Sequence, residues 1–147
     1  MEEIKKRVEI LLVDDNPGDV RLTVEALKEN KMPNKLNVVN DGAEALTFLY
    51  KKGKFTDAPR PDLILLDLNL PKKNGLEILE EIKKDTALKR IPVVIFTASS
   101  AERDIIKSYN YHANCYITKP VHLEQFIEVV KSIENFWLTV VKLPLGD

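Results

Sequence analysis

The chain has 147 residues, 44% of them hydrophobic and 31% charged, with a formal net charge of -1; these values fit one globular domain and leave no room for a second full one. The near-neutral balance excludes nucleic-acid binding through a broad basic face, because phosphate contacts need clustered Lys and Arg. Cys115 is the only cysteine, and the N-terminal MEEIKKRVEILLVDD is neither a signal peptide nor a membrane span, so the expected location is a reducing cytoplasm.

The first element in chain order is VEILLV, Val8 to Val13, a short β-branched run halted by Asp14. That pattern predicts a strand buried on both faces. Val20, Val24 and Leu27 then recur at helical spacing, and Leu36 to Asn40 reads as a second strand. Ala45, Leu46 and Leu49 mark a second helix, followed by a polar, turn-rich stretch from Lys51 to Pro61 that predicts a long loop. The third strand, Asp62 to Asp67, repeats the design of the first. Leu76, Leu79 and Ile82 mark the third helix, Pro92 to Thr97 the fourth strand, and Ile105 and Ile106 the fourth helix. Asn114 to Thr118 is a weaker fifth strand before Pro120, and Leu123, Phe126, Ile127, Val130 and Ile133 mark the fifth helix.

Five βα repeats with near-continuous apolar strands predict an α/β fold: a flavodoxin-like, doubly wound, five-stranded parallel sheet with helices on both faces. Residues 1–136 are expected to form this domain, and 137–147 a short C-terminal extension. Ligands in such folds bind beyond the carboxyl ends of the strands. Asp14 and Asp15 end the first strand, Asp67 the third and Thr97 the fourth, while Lys119 follows the fifth. All five therefore fall on one sheet edge. Three clustered carboxylates repel one another and are costly to desolvate, so a cation is expected with them. Magnesium suits carboxylate oxygens and phosphate alike. Asp67 could then act as a nucleophile toward phosphorus, with Lys119 and Thr97 stabilising the phosphoryl oxygens.

The segments LLVDDNPGD, LLDLNLPKKNG, VVIFTAS and YITKP resemble, in order, the signature blocks of response-regulator receiver domains of two-component systems. The resemblance covers almost the whole chain. It implies that Asp67 is the phosphoacceptor, that Asp14, Asp15 and Asp67 hold Mg2+ with the backbone carbonyl of Asn69, and that Thr97 and Lys119 sense the phosphoryl group. It further implies an aromatic switch at Tyr116, turning inward as Thr97 moves to the phosphoryl group, and a cis bond between Lys119 and Pro120. NPGDVRL and FWLTVVKLP resemble the stand-alone regulators that partner phytochrome-type histidine kinases.

Taken singly, these residues have plainer explanations. Asp14 or Asp15 could start a helix beside Pro17, Asp67 could be a turn residue before Pro71 and Gly75, Thr97 a β-favouring residue, Lys119 a solvated charge, and Pro120 an ordinary trans proline. It is their coincidence on one edge that favours chemistry. Cys115 reads as a small buried hydrophobe, Tyr109 and Tyr111 as helix-end packing or partner contacts, and His112 and His122 as surface or loop residues without metal spacing, His122 with a place at the start of the fifth helix. The glycines form no nucleotide fingerprint.

The expected function is a single-domain response regulator that takes a phosphoryl group from a sensor histidine kinase, catalysing its own phosphoryl transfer and dephosphorylation. It would signal to a downstream protein partner through the face of the fourth helix, fifth strand and fifth helix. The alternative is a receiver-like interaction module that is never phosphorylated. An aspartyl phosphatase would need an acid two residues beyond Asp67, where Asn69 stands. No output domain is expected after the fifth helix. Phe136, Trp137 and the residues after them, with Leu138, Val140 and Leu143 apolar, are expected to dock on their own domain or on a second copy as a homodimer.

Overall fold

A computed structural model describes residues 7–28, 34–137 and 142–143. Parallel strands β1 (Val8–Val13), β2 (Asn34–Val39), β3 (Leu63–Leu66), β4 (Val93–Thr97) and β5 (Cys115–Thr118) form one sheet in the order β2-β1-β3-β4-β5. Helices α1 (Pro17–Lys28), α2 (Gly42–Leu49), α3 (Gly75–Lys84), α4 (Glu102–Asn110) and α5 (Leu123–Asn135) connect and follow them. The predicted doubly wound α/β fold is the observed one.

Alternation along each strand builds two cores, because successive side chains leave a strand on opposite faces. Leu11, Val13, Ile64, Leu66, Val93 and Ile95 pack with Ala45, Leu49, Ile78, Leu79 and Ile82 from α2 and α3. Ile10, Leu12, Leu63, Leu65, Val94 and Phe96 pack with Leu27 of α1 and Phe126, Val130 and Ile133 of α5. β3 and β4 are buried throughout, whereas β5, at the sheet edge, is half-buried or exposed. The order of strands leaves a crevice at the carboxyl ends of β1 and β3, where the chain reverses its direction of winding.

Some faces differ from the periodicity. The buried stripe of α1 is Thr23, Ala26 and Leu27; Val20 and Val24 lie at its margin. In α4 Ile106 is 52% exposed while Ser108 is fully buried, because two adjacent isoleucines cannot share one narrow helical stripe. The predicted loop from Lys51 to Pro61 contains a 3-10 turn, Gly53–Phe55, tied down by Phe55 against Phe48 with ring centroids 5.2 Å apart.

At the amino ends of β4 and β5, Lys83 of α3 donates to the Lys89 carbonyl at 3.1 Å, the Ile91 carbonyl at 2.8 Å and Asn114 Oδ1 at 3.2 Å. Asn114 Oδ1 also accepts the Val93 N–H at 2.8 Å. Beyond α5, Trp137 is buried in the α1/α5 core and Leu143 packs against it, while Phe136 is 50% exposed. Leu138 and Val140 lie outside the described residues.

Candidate functional site

The β1 and β3 ends deliver Asp14 and Asp67 into the crevice with 1% and 5% exposure. Backbone bonds fix both: Asp14 N–H donates to the Val39 carbonyl at 3.1 Å and Asp67 N–H to the Val13 carbonyl at 3.0 Å. Gly75 opens α3 beside this edge because a Cβ there would overlap the Asp67 carbonyl. Asn74 caps the same helix with a reciprocal capping box to Glu77, satisfying donors that would otherwise be orphaned.

The Asp67 carboxylate accepts three hydrogen bonds. Lys119 Nζ donates to Oδ2 at 2.8 Å, Thr97 Oγ1 donates to Oδ1 at 2.7 Å, and Asn69 N–H donates to Oδ1 at 3.0 Å. Asp14 takes Lys119 Nζ on Oδ2 at 2.8 Å and Asn16 N–H on Oδ1 at 3.0 Å. Lys119 spends its remaining donor on Asp19 Oδ2 at 2.9 Å. Burial pulls the Lys119 ammonium down, but the bonds to Asp14, Asp67 and Asp19 outweigh it and hold the group above its ordinary value. Burial raises Asp14, against the pull of Lys119 and the Asn16 N–H.

Asp14, Asp15 and Asp67 each offer a carboxylate oxygen, all lying within 4.8 Å of one another. Oxygen-only, acidic and partly open to solvent through exposed Asp15, this donor set suits a hard divalent cation. The structure thus brings together Asp14, Asp15, Asp67, Thr97 and Lys119, with Asn69 exposed beside them.

Tyr116 lies half-buried on β5, its hydroxyl donating to the Ser99 carbonyl at 2.8 Å. Ser99 Oγ in turn donates to Asp104 Oδ2 at 2.6 Å, so the β4–α4 loop carries a polar link from the strand bearing Thr97 to the tyrosine. Thr97 thus bonds Asp67 directly, while the half-buried Tyr116 bonds the β4–α4 loop at Ser99. The cis Lys119–Pro120 bond is corrected: among the described residues no peptide bond is cis. The trans form is the intrinsically preferred one, and Lys119 points inward all the same, because three carboxylates draw its ammonium and its N–H donates to the Thr97 carbonyl at 2.6 Å.

Asp19, Ser99 and Asp104 were missed by sequence reasoning. The only available signal for Asp19 was its place in NPGD, where Asn16 Oδ1 accepts its N–H at 3.0 Å. Cys115 is half-buried against the α1/α5 core, and burial pushes its thiol up, as befits an unreactive side chain. His122 is the residue preceding α5, and His112 adopts a positive φ of 70° after α4.

The family model for the response regulator receiver domain matches residues 10–131. Response regulator Rcp1 of Synechocystis sp. is 50% identical over 135 residues, covering 92% of each chain. The probable methanogenesis regulatory protein FilR2 of Methanothrix harundinacea is 36% identical, over 88% of this chain and 83% of its own. Among solved structures, the phosphorylated cyanobacterial phytochrome response regulator RcpA superposes with a TM-score of 0.93 at 51% identity, covering 95% of this chain and all of its own. The Mn(2+)-bound form of Rcp1 gives 0.92 at 49% identity, over 94% and 99% of the two chains.

Proposed function

The chain belongs to the response regulator receiver family, and from that premise we propose that Asp67 accepts a phosphoryl group from a phosphohistidine on a phytochrome-type sensor histidine kinase in the cytoplasm. The observation that carries this reading is the set of three donors on a buried Asp67 carboxylate within an acidic cluster. An Asp67 oxygen attacks phosphorus, the phosphorus–nitrogen bond of the donor breaks, and its electron pair returns to the imidazole, which takes up a proton. Lys119 and the Thr97 hydroxyl turn their hydrogen bonds to phosphoryl oxygens, which is catalysis by positioning and electrostatics. Bound by Asp14, Asp15, Asp67 and the Asn69 carbonyl, Mg2+ would supply neutralisation of phosphoryl charge. The same groups let the protein hydrolyse its own acyl phosphate when water replaces the imidazole.

The signal leaves through a protein contact. Ile106 and Tyr109 of α4, with Val121 and Leu123 at the start of α5, are 52%, 50%, 94% and 57% exposed, an apolar face beside Tyr116 whose partner affinity changes only insofar as phosphorylation alters Thr97, Ser99 and Tyr116. Residues 1–136 act as the receiver unit and 137–147 as a C-terminal extension; burial of Trp137 and packing of Leu143 against the α1/α5 core support contact of these two residues with their own domain.

Incubation with a small acyl phosphate and Mg2+, followed by intact-mass measurement, tests the reading. Wild type should gain one phosphoryl group and Asp67→Asn none. A wild type that gains nothing, or an Asp67→Asn protein that gains as much, would defeat it.

A further inference from the structure

We propose that Asp19 is a positioning residue for Lys119 in phosphoryl transfer to Asp67, an inference that rests on Asp67 being the acceptor. The local sequence builds this contact. Asn16 precedes α1 and its Oδ1 accepts the Asp19 N–H at 3.0 Å, the N-cap bond; Pro17 is the first helical residue, where a missing N–H costs nothing. This puts Asp19 at the third helical position. An acidic side chain there commonly folds back onto its own cap. Instead, the Asp19 carboxylate reaches Lys119 Nζ at 2.9 Å, a link between residues 100 positions apart, while its carbonyl accepts the Thr23 hydroxyl at 2.8 Å.

The consequence lies in how Lys119 distributes its donors. An ammonium has three, and here each has a carboxylate: Asp14, Asp67 and Asp19. During transfer the Asp67 oxygen becomes bonded to phosphorus, and Asp14 would be among the residues that hold a divalent ion. Asp19 is then the carboxylate that still holds Lys119, on the α1 side. Lysine has a flexible four-carbon stem with no geometry of its own, so one retained bond fixes the direction in which the ammonium meets the phosphoryl oxygens. Asp19 is itself paired at 2.9 Å, so its effect on an arriving phosphoryl group is to orient the lysine rather than to repel the anion.

Phosphorylation rates by a small acyl phosphate with Mg2+, read by intact mass, should be compared for wild type, Asp19→Asn, Lys119→Ala and the double variant, with time courses long enough to give a rate in the Lys119→Ala background. Asp19→Asn should slow phosphorylation about tenfold, the rate equivalent of one charge-assisted hydrogen bond. In the Lys119→Ala background the same substitution should change nothing. A wild-type rate in Asp19→Asn, or equal slowing in both backgrounds, would overturn the proposal; the latter would make Asp19 a helix-start residue only. If wild type itself gains no phosphoryl group, the function proposed above falls and this inference falls with it, whereas phosphorylated wild type with an unaffected Asp19→Asn overturns this inference alone.

Discussion

Two lysines are drawn inward at opposite ends of the same sheet, and their surroundings are chemically opposite. Lys119, beyond the carboxyl end of β5, bonds three carboxylates and is held above its ordinary value. Lys83, at the amino ends of β4 and β5, bonds two backbone carbonyls and an amide oxygen, and burial pushes it down to about 8. Both use three donors. Neutral acceptors give Lys83 a fixed geometry without an opposing charge, so it staples α3 to the strand entrances. Anionic acceptors make Lys119 a charge that can be redistributed: any group that neutralises Asp14 or modifies Asp67 changes what the lysine binds. The number of hydrogen bonds does not separate structure from chemistry here. The charge of the acceptors does.

The largest effect should come from breaking the carboxylate end. Lys119→Ala leaves Asp14 and Asp67 buried and unopposed, a loss expected to destabilise the fold by roughly 3 kcal/mol without divalent ion. Removal of one preorganised donor to the phosphoryl oxygens should slow phosphorylation about a hundredfold. Chemical denaturation without and with Mg2+, alongside the mass assay, separates the two effects: added Mg2+ should restore much of the stability, because it supplies charge to the same carboxylates, while the rate stays low. Full recovery of the rate by Mg2+ would mean that the lysine serves only as a counter-charge.

The carboxylate end was largely legible in the sequence and the amide end was not. Asp14 and Asp67 each halt a short apolar run, so strand order alone places them on one edge, and Thr97 and Lys119 follow by the same rule. Lys83 has no such marker. It looks like any basic residue in the last turn of a helix, and its acceptors are main-chain oxygens whose positions depend on how the α3–β4 loop is packed. Asp19 was hidden for a related reason: nothing in α1 says which way an acid at its third position turns, and its partner lies 100 residues away. Likewise, Ile106 helps mark α4 in the sequence, yet it is half exposed and the fully buried residue of α4 is Ser108. The cis bond expected before Pro120 depended on a need to aim Lys119 that the three carboxylates meet by themselves.

The amide end should respond more weakly and without touching the chemistry. Lys83→Met keeps the apolar stem and removes the ammonium, leaving the Lys89 and Ile91 carbonyls without that donor, at a cost of about 1–2 kcal/mol at pH 7. Its phosphorylation rate should stay within about twofold of wild type, given that it sits at the far end of the sheet. A loss of rate comparable to that of Lys119→Ala would erase the distinction between the two lysines.

The pH dependence sharpens it further, with a smaller signal. Lys83 titrates near 8 when folded against an ordinary 10.5, so between those values the unfolded chain binds more protons and this group's contribution to stability rises with pH. Lys119 has the opposite sign: its folded value is raised, so its contribution is fully present below 10.5 and is lost only above that value. Of these two lysines, only Lys83 therefore contributes a changing signal from pH 7 to 9. The Cys115 thiol, raised by burial, begins to oppose it near 9, but does so equally in both proteins being compared. Urea denaturation of wild type and Lys83→Met across this window should show the stability gap widening by up to about 1 kcal/mol as pH rises, after allowance for solvent screening of a partly exposed group. A gap that narrows instead would mean that the three oxygens around Lys83 favour its ammonium more than burial disfavours it, and the two ends of the sheet would then differ only in the charge of their acceptors, not in the direction in which they shift a lysine.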